Sequence, residues 1–228
     1  MPVGKTNLTS GGGKDTLTFD TASITPSANK LILLSCTAYD GDSTVPEPTV
    51  SGCGLTWVKI DTRISGDNHR RVTLFRAMGA SPSSGAVTIT FSIALWGCAW
   101  GVSEFGSVDT SGTNGSGAIV QSAVNGVDGA LGLTITLAAF GSTNNATFGA
   151  FGSSHTTTVG SGFIQVNTYQ TDPGQWYENT NTQEWRDDND TSVDISTGWG
   201  DIHGVAVEIK YAAPTLSKTT TTWIPMIA

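Results

Sequence analysis

Short runs in which apolar and polar residues alternate, or which are apolar throughout, recur along the whole chain with turn-forming clusters between them. They cover residues 16–19, 30–39, 55–64, 70–78, 87–93, 99–108 and 119–124, and then 133–140, 147–153, 163–169, 178–185, 193–196 and 205–210. A period of two is that of an extended strand with one face buried. Gly, Ser, Asn and Asp punctuate the runs roughly every 10 to 15 residues, as turns between strands require. About a dozen strands of ordinary length result. No stretch carries a helical period, a heptad or a fixed short repeat, which argues against parallel βαβ units, coiled coils and solenoids. The pattern predicts an all-β fold, an antiparallel two-sheet sandwich with a jelly roll as the favoured form. The runs 71–76 and 87–91 read as neighbours paired across the turn at 79–85, with their Val, Leu and Ile side chains facing inward.

The two ends read differently from the middle. Residues 1–14, with Gly11, Gly12 and Gly13, are too polar and glycine-rich for a core position and read as an extended N-terminal arm or a first edge segment, so the sandwich domain spans residues 15–210. Beyond it, residues 211–228 combine a polar threonine run with the apolar Trp223, Ile224, Pro225, Met226 and Ile227. Burying such side chains contributes roughly 1.5 to 3 kcal/mol each, while ordering the backbone costs about 1 to 2 kcal/mol per residue. So small a surplus suits an arm whose docking is repeated many times on a symmetric assembly. The expectation is a C-terminal docking arm that grips a neighbouring molecule through residues 223–227; packing back on its own domain is the plainer alternative.

Composition narrows the function classes. Charged residues are 13% of the chain, about half of the usual share of roughly 25%, so hydroxyls and amides wet the surface. A net charge of −8 with 11 Lys plus Arg argues against nucleic acid as a partner, which needs clustered cations. No apolar run reaches the roughly 20 residues of a membrane helix, and the first residues lack the apolar core of a secretion signal, so assembly in a cytoplasm is expected. Cys36, Cys53 and Cys98 are odd in number and widely spaced, which fits neither a disulfide framework nor a zinc site; within apolar runs they read as small hydrophobes.

Candidate chemistry is sparse. The three histidines, His69, His155 and His203, lie in ordinary turn or strand-flanking contexts, and no nucleophile elbow accompanies them. No cofactor is expected, and the chain does not read as an enzyme. Asp187, Asp188, Asp190 and Asp194 place carboxylates on one turn, where they can hold calcium, though the spacing is not that of an EF-hand and a solvated hairpin is the simpler reading. Aromatic faces stack on sugar rings while Asn and Asp bond hydroxyls, so Trp176, Tyr177, Trp185 and Trp199 in the loop-rich region 169–200 are candidates for carbohydrate binding. Trp57, Trp96 and Trp100 lie in runs that read as core.

The segments 55–60, 71–77, 102–105 and 204–210 together resemble small β-sandwich virion proteins of tailed bacteriophages. The resemblance implies a structural protein of the virion, assembled in the host cytoplasm. Its first form is a capsid decoration (cement) subunit, homo-oligomeric and often trimeric, that binds the major capsid protein or another virion protein through terminal arms, the role that Trp223 to Ile227 fit here. The alternative is a carbohydrate-binding receptor-recognition module of a tail or head fibre, using Trp176, Tyr177 and Trp185 with Asp187 or Asp190.

Overall fold

Fourteen strands form three antiparallel sheets in the computed structural model of the protein, which describes residues 3–172, 174 and 178–212. In chain order they are β1 (Gly4–Gly13), β2 (Thr16–Asp20), β3 (Leu31–Tyr39), β4 (Thr49–Gly52), β5 (Val58–Ile64), β6 (Arg70–Ala77) and β7 (Val87–Leu95), followed by β8 (Gly97–Gly106), β9 (Ile119–Thr136), β10 (Ala146–Ser153), β11 (Thr157–Val159), β12 (Ile164–Thr171), β13 (Asn179–Arg186) and β14 (Ser192–Ile209). A single 3-10 turn, Ser116–Ala118, is the one helical piece among the described residues.

The middle sheet runs β1-β8-β3-β6-β5, and its two faces are covered by different partners. One face packs Leu31, Leu33, Val72, Leu74 and Phe105 against Phe148, Ala150, Val205 and Val207 of the second sheet, ordered β11-β14-β10-β13-β12 with β9 on β14. The other packs Ile32, Leu34, Phe75 and Trp100 against Phe19, Ile89 and Phe91 of the small sheet β2-β7-β4. The expected antiparallel sandwich is therefore present, with a third, smaller layer on its outer side. Strands covered on both faces have no polar side, which is why β3 (LILLSCTAY) reads as a near-continuous apolar run. Cys36, Cys53 and Cys98 are free and buried, and all three belong to this second core.

Of the two readings of the N-terminal stretch, residues 4–13 take that of a first edge segment, hydrogen-bonded along β8. Two local expectations are corrected. The runs 71–76 and 87–91 are not neighbours: β6 pairs with β3 and β5, while β7 pairs with β2 and β4, so the connection between them crosses from one layer to the next. Their apolar residues Val72, Leu74, Val87 and Ile89 do face inward. The separate runs 119–124 and 133–140, like 193–196 and 205–210, belong to two 18-residue strands, β9 and β14. Of the glycines between them, Gly129 and Gly198 lie in bulges, while Gly126, Gly132, Gly200 and Gly204 pair in register, so none marks a turn between separate strands.

The interior between the two large sheets is not uniformly apolar. Strand β13 reads Asn-Thr-Asn-Thr-Gln-Glu-Trp-Arg, yet all but its last residue are buried. Its inward-facing residues form a hydrogen-bonded ladder to the middle sheet. Asn179 Nδ2 donates to the Thr37 carbonyl at 2.6 Å, Asn181 Nδ2 to Thr37 Oγ1 at 3.0 Å, and Gln183 Nε2 to both Ser35 Oγ at 2.9 Å and the Gly101 carbonyl at 2.8 Å. Ser103 and Asn167 complete it through the Gln183 side-chain oxygen. Each amide nitrogen of the ladder is paired, as buried donors need, whereas Asn167 Oδ1 and Asn179 Oδ1 have no hydrogen-bond partner among the described residues.

Candidate functional cleft

At the end of the sandwich where this polar ladder finishes, a cleft of about 730 Å³ opens between the two large sheets. The middle sheet contributes Tyr39 from the end of β3, Arg70 from the start of β6, and Asp67 and His69 from the turn before it. The second sheet contributes Ser154 and His155 after β10, Glu178 before β13, and Trp199 to Asp201 within β14.

The wall on the β14 side is shaped by two successive bulges. Between the pairs Ser196↔Gly132 and Gly200↔Ala130, residues 197–199 of β14 oppose residue 131 of β9. The surplus pushes Trp199 outward, and the ring is 70% exposed, far above any other large apolar side chain of the cleft. Between Gly200↔Ala130 and Ile202↔Val127 the surplus lies on β9 and carries Asp128 and Gly129. Gly129 has φ +72, and a Cβ built there would stand 2.9 Å from Cζ2 of Trp199. Glycine is thus needed twice at this position, for the left-handed backbone and for the indole that lies across it. Asp128 accepts the Gly66 N–H at 3.1 Å and contacts His203 Nε2 at 3.0 Å, which ties the β5–β6 turn to the second sheet. Burial pulls the His203 pKa below 6.5, against the nearby charges of Asp128 and Asp201.

Across the cleft, Arg70 is the central fixed charge. Its guanidinium lies 4.1 Å over the Tyr39 ring, donates through Nη1 to the Glu178 carbonyl at 2.7 Å, and has Nε 3.9 Å from Asp201 Oδ2. Burial lowers its pKa below the usual guanidinium range, opposed by the charges of Tyr39, Asp201, Asp67 and Glu178; a guanidinium stays charged under any such shift. Burial likewise raises the Tyr39 pKa above 10.0, with Arg70 opposing, so the phenol keeps its proton. At Asp67 burial works against the carboxylate, but the Ser65 hydroxyl, the His69 N–H and nearby positive charge, that of Arg70 included, outweigh it and hold the pKa below 3.8. Ser154 Oγ lies 3.0 Å from His155 Nδ1 and also accepts the Asp201 N–H at 3.0 Å. This is a contact between adjacent residues that pins a turn, with the serine oxygen already engaged by backbone.

The residues singled out by sequence divide sharply. Trp199 lies on the cleft rim. Trp185 does not: it is 7% exposed, packed in the core between the large sheets, because its strand presents that face to the middle sheet. It offers no face to a sugar. Trp176 and Tyr177 lie outside the described residues, as do Trp223, Ile224, Pro225, Met226 and Ile227. Trp96, read as core, is 39% exposed and packs edge-on against Tyr39 with ring centroids 5.8 Å apart. The acidic turn is organised by a cation of its own, since Arg186 binds Asp188 at 2.6 Å and Asp190 at 2.7 Å, while Asp194 faces the buried Glu184 instead. Among the described residues no three His, Cys, Asp or Glu side chains converge as a metal site would require. Sequence reading passed over Tyr39, Asp67, Arg70, Glu178 and Asp201; the first four share only a position at a strand end or turn, and Asp201 lies inside β14 beside its bulges. No protein-family model, no curated protein and no solved structure matches the chain.

Proposed function

We propose that the protein is a carbohydrate-recognition module, acting as a receptor-binding part of a phage tail or head fibre and binding without turnover. The observation that carries this reading is Trp199, an indole held flat and exposed over Gly129 on the rim of a cleft whose floor is lined by fixed hydrogen-bonding groups. Neutral sugars present an apolar C–H face and a fringe of hydroxyls, and an aromatic plane beside anchored carboxylates complements both. A pre-set site also avoids the ordering cost that would otherwise reduce affinity. The virion setting is what the sequence resemblance implies. The capsid-decoration alternative draws its support from residues 223–227 rather than from the cleft.

A glycan array with the full chain and with Trp199→Ala tests the reading. Because the ring is exposed, its removal leaves the fold intact, and binding should fall by at least about tenfold, the size of a modest hot spot. Silence of the wild-type protein across the array, or equal binding by the variant, refutes the proposal.

A further inference from the structure

We propose that the cleft selects carbohydrate without negative charge and favours sugars that bear a free amino group. The inference rests on the recognition role proposed above and specifies the chemistry of its ligand. It comes from how the polar groups of the cleft are already engaged.

Each of the three carboxylates is anchored chiefly through one oxygen. Asp67 Oδ1 accepts the Ser65 hydroxyl and the His69 N–H, the latter at 3.0 Å. Glu178 Oε1 accepts the Gly174 N–H at 2.9 Å and the Gln170 amide. Asp201 Oδ1 accepts the Gly129 N–H at 3.2 Å, while its Oδ2 stands 3.9 Å from the Arg70 guanidinium. Hydrogen bonds from the described residues therefore leave the second oxygen of Asp67 and of Glu178 as acceptors with fixed orientation.

The histidine beside them points the same way. His69 Nδ1 lies 2.8 Å from the Asp40 carbonyl oxygen, which can only accept, so Nδ1 carries the hydrogen. In the neutral ring Nε2 is then an acceptor as well. The one guanidinium of the cleft is committed to the Glu178 carbonyl, the Tyr39 face and Asp201. Three carboxylates against one guanidinium leave a formal excess of two negative charges with the histidines neutral, in a protein whose net charge is −8. A concave site concentrates such a field and repels anions. What fits is a ligand rich in donors: hydroxyls meet the anchored oxygens, and an ammonium adds a charge-assisted bond to Asp67 or Glu178.

The experiment is an array carrying the same oligosaccharide backbones in neutral, amine-bearing and carboxylate- or sulfate-bearing forms, followed by calorimetry on the matched set that binds. The amine-bearing form should bind about tenfold tighter than the neutral one at low ionic strength, and the anionic form about tenfold weaker. In Asp67→Asn combined with Glu178→Gln, which keeps side-chain shape, neutral binding should weaken as two anchored acceptors lose their charge, and the ratio of amine-bearing to neutral affinity, both measured on the variant, should shrink to about twofold. Anionic forms binding as well as neutral ones, or an amine preference unchanged in the double variant, overturns the charge rule and leaves the recognition role standing. No binding by any form removes both.

Discussion

Glu184 offers the sharpest test of how this fold handles a buried charge. The side chain lies on β13, fully buried on the face of the second sheet away from the middle sheet, where Oε2 accepts the Gly160 N–H at 3.1 Å and Oε1 has no hydrogen-bond partner among the described residues. Burial, with a further push from Asp194 and against the Gly160 hydrogen bond, raises its pKa from 4.5 to about 8. Each pH unit of such a rise corresponds to about 1.36 kcal/mol, so deprotonation in the native state is resisted by up to about 5 kcal/mol, a sizeable part of a typical folding free energy. The native state holds this proton where the unfolded chain has released it. The stabilisation is therefore complete below pH 4.5 and is lost progressively as the pH rises to about 8. Glu184→Gln removes the titration and keeps an oxygen for Gly160. Urea unfolding followed by tryptophan fluorescence at a series of pH values should show the wild type losing several kcal/mol relative to the variant on going from acid to alkaline conditions. In a chain of this size that amounts to roughly 10 to 20 °C in Tm. Parallel pH profiles for the two proteins would refute the reasoning, because they would mean that the buried carboxyl ionises without cost.

His203 sets the acid side of the same stability profile: its lowered pKa means that its contribution is present above 6.5 and is lost as the pH falls below that value. His203→Gln should flatten that acid limb in the same unfolding series, and an unaltered limb would assign it to other groups. Gln183→Leu, close in volume, should cost about 3 kcal/mol or more, since Ser35, the Gly101 carbonyl and Asn167 all lose a buried partner; a neutral result by chemical denaturation would show that the ladder contributes little. Gly129→Ala should destabilise by about 1 to 2 kcal/mol through its left-handed backbone and also weaken glycan binding as the Trp199 ring is displaced, which calorimetry separates from the simple loss seen in Trp199→Ala.

The architecture was legible in the sequence wherever one side of a strand is apolar or both are. Runs such as 30–39 and 205–210 place β3 and the end of β14 to within a residue or so, because their burial is hydrophobic and hydropathy registers it. The pairing of the layers was not legible. Hydropathy shows that β6 and β7 each bury a face, but not that they bury it on different sheets, a matter decided by the length and path of residues 78–86. Strand β13 marks the limit most clearly: its alternating amides carry no apolar signal, and only their partners on β3 and β8 make their burial possible. The cleft is harder still to foresee. Tyr39, Arg70, Glu178 and Asp201 are separated by long stretches of chain and share no spacing, so they become a site only through the stacking of the two sheets. Trp199 was visible as an aromatic between glycines, whereas Trp185, equally attractive as a residue type, was committed to the core by the alternation of its strand.

The polar ladder and the cleft are two parts of one arrangement. An apolar interface between sheets attracts without specifying direction, and such an interface tolerates small changes in the angle and offset of the layers. Hydrogen bonds between amides and hydroxyls fix both, because each donor has a distance and an angle to satisfy. The ladder from Gln183 through Asn181 to Asn179 runs toward the cleft and ends one residue from Glu178, while the opposite side of the ladder ends at Thr37, two residues from Tyr39. Arg70 then bridges the layers at the mouth through the Glu178 carbonyl. Since the walls of the cleft come from both sheets, its width is set by the same bonds that fix the stacking. Replacing the ladder by hydrocarbon of equal volume would therefore affect ligand affinity as well as stability, and the two effects need not have the same sign, because a well-packed apolar interior can hold the layers together without holding them in place.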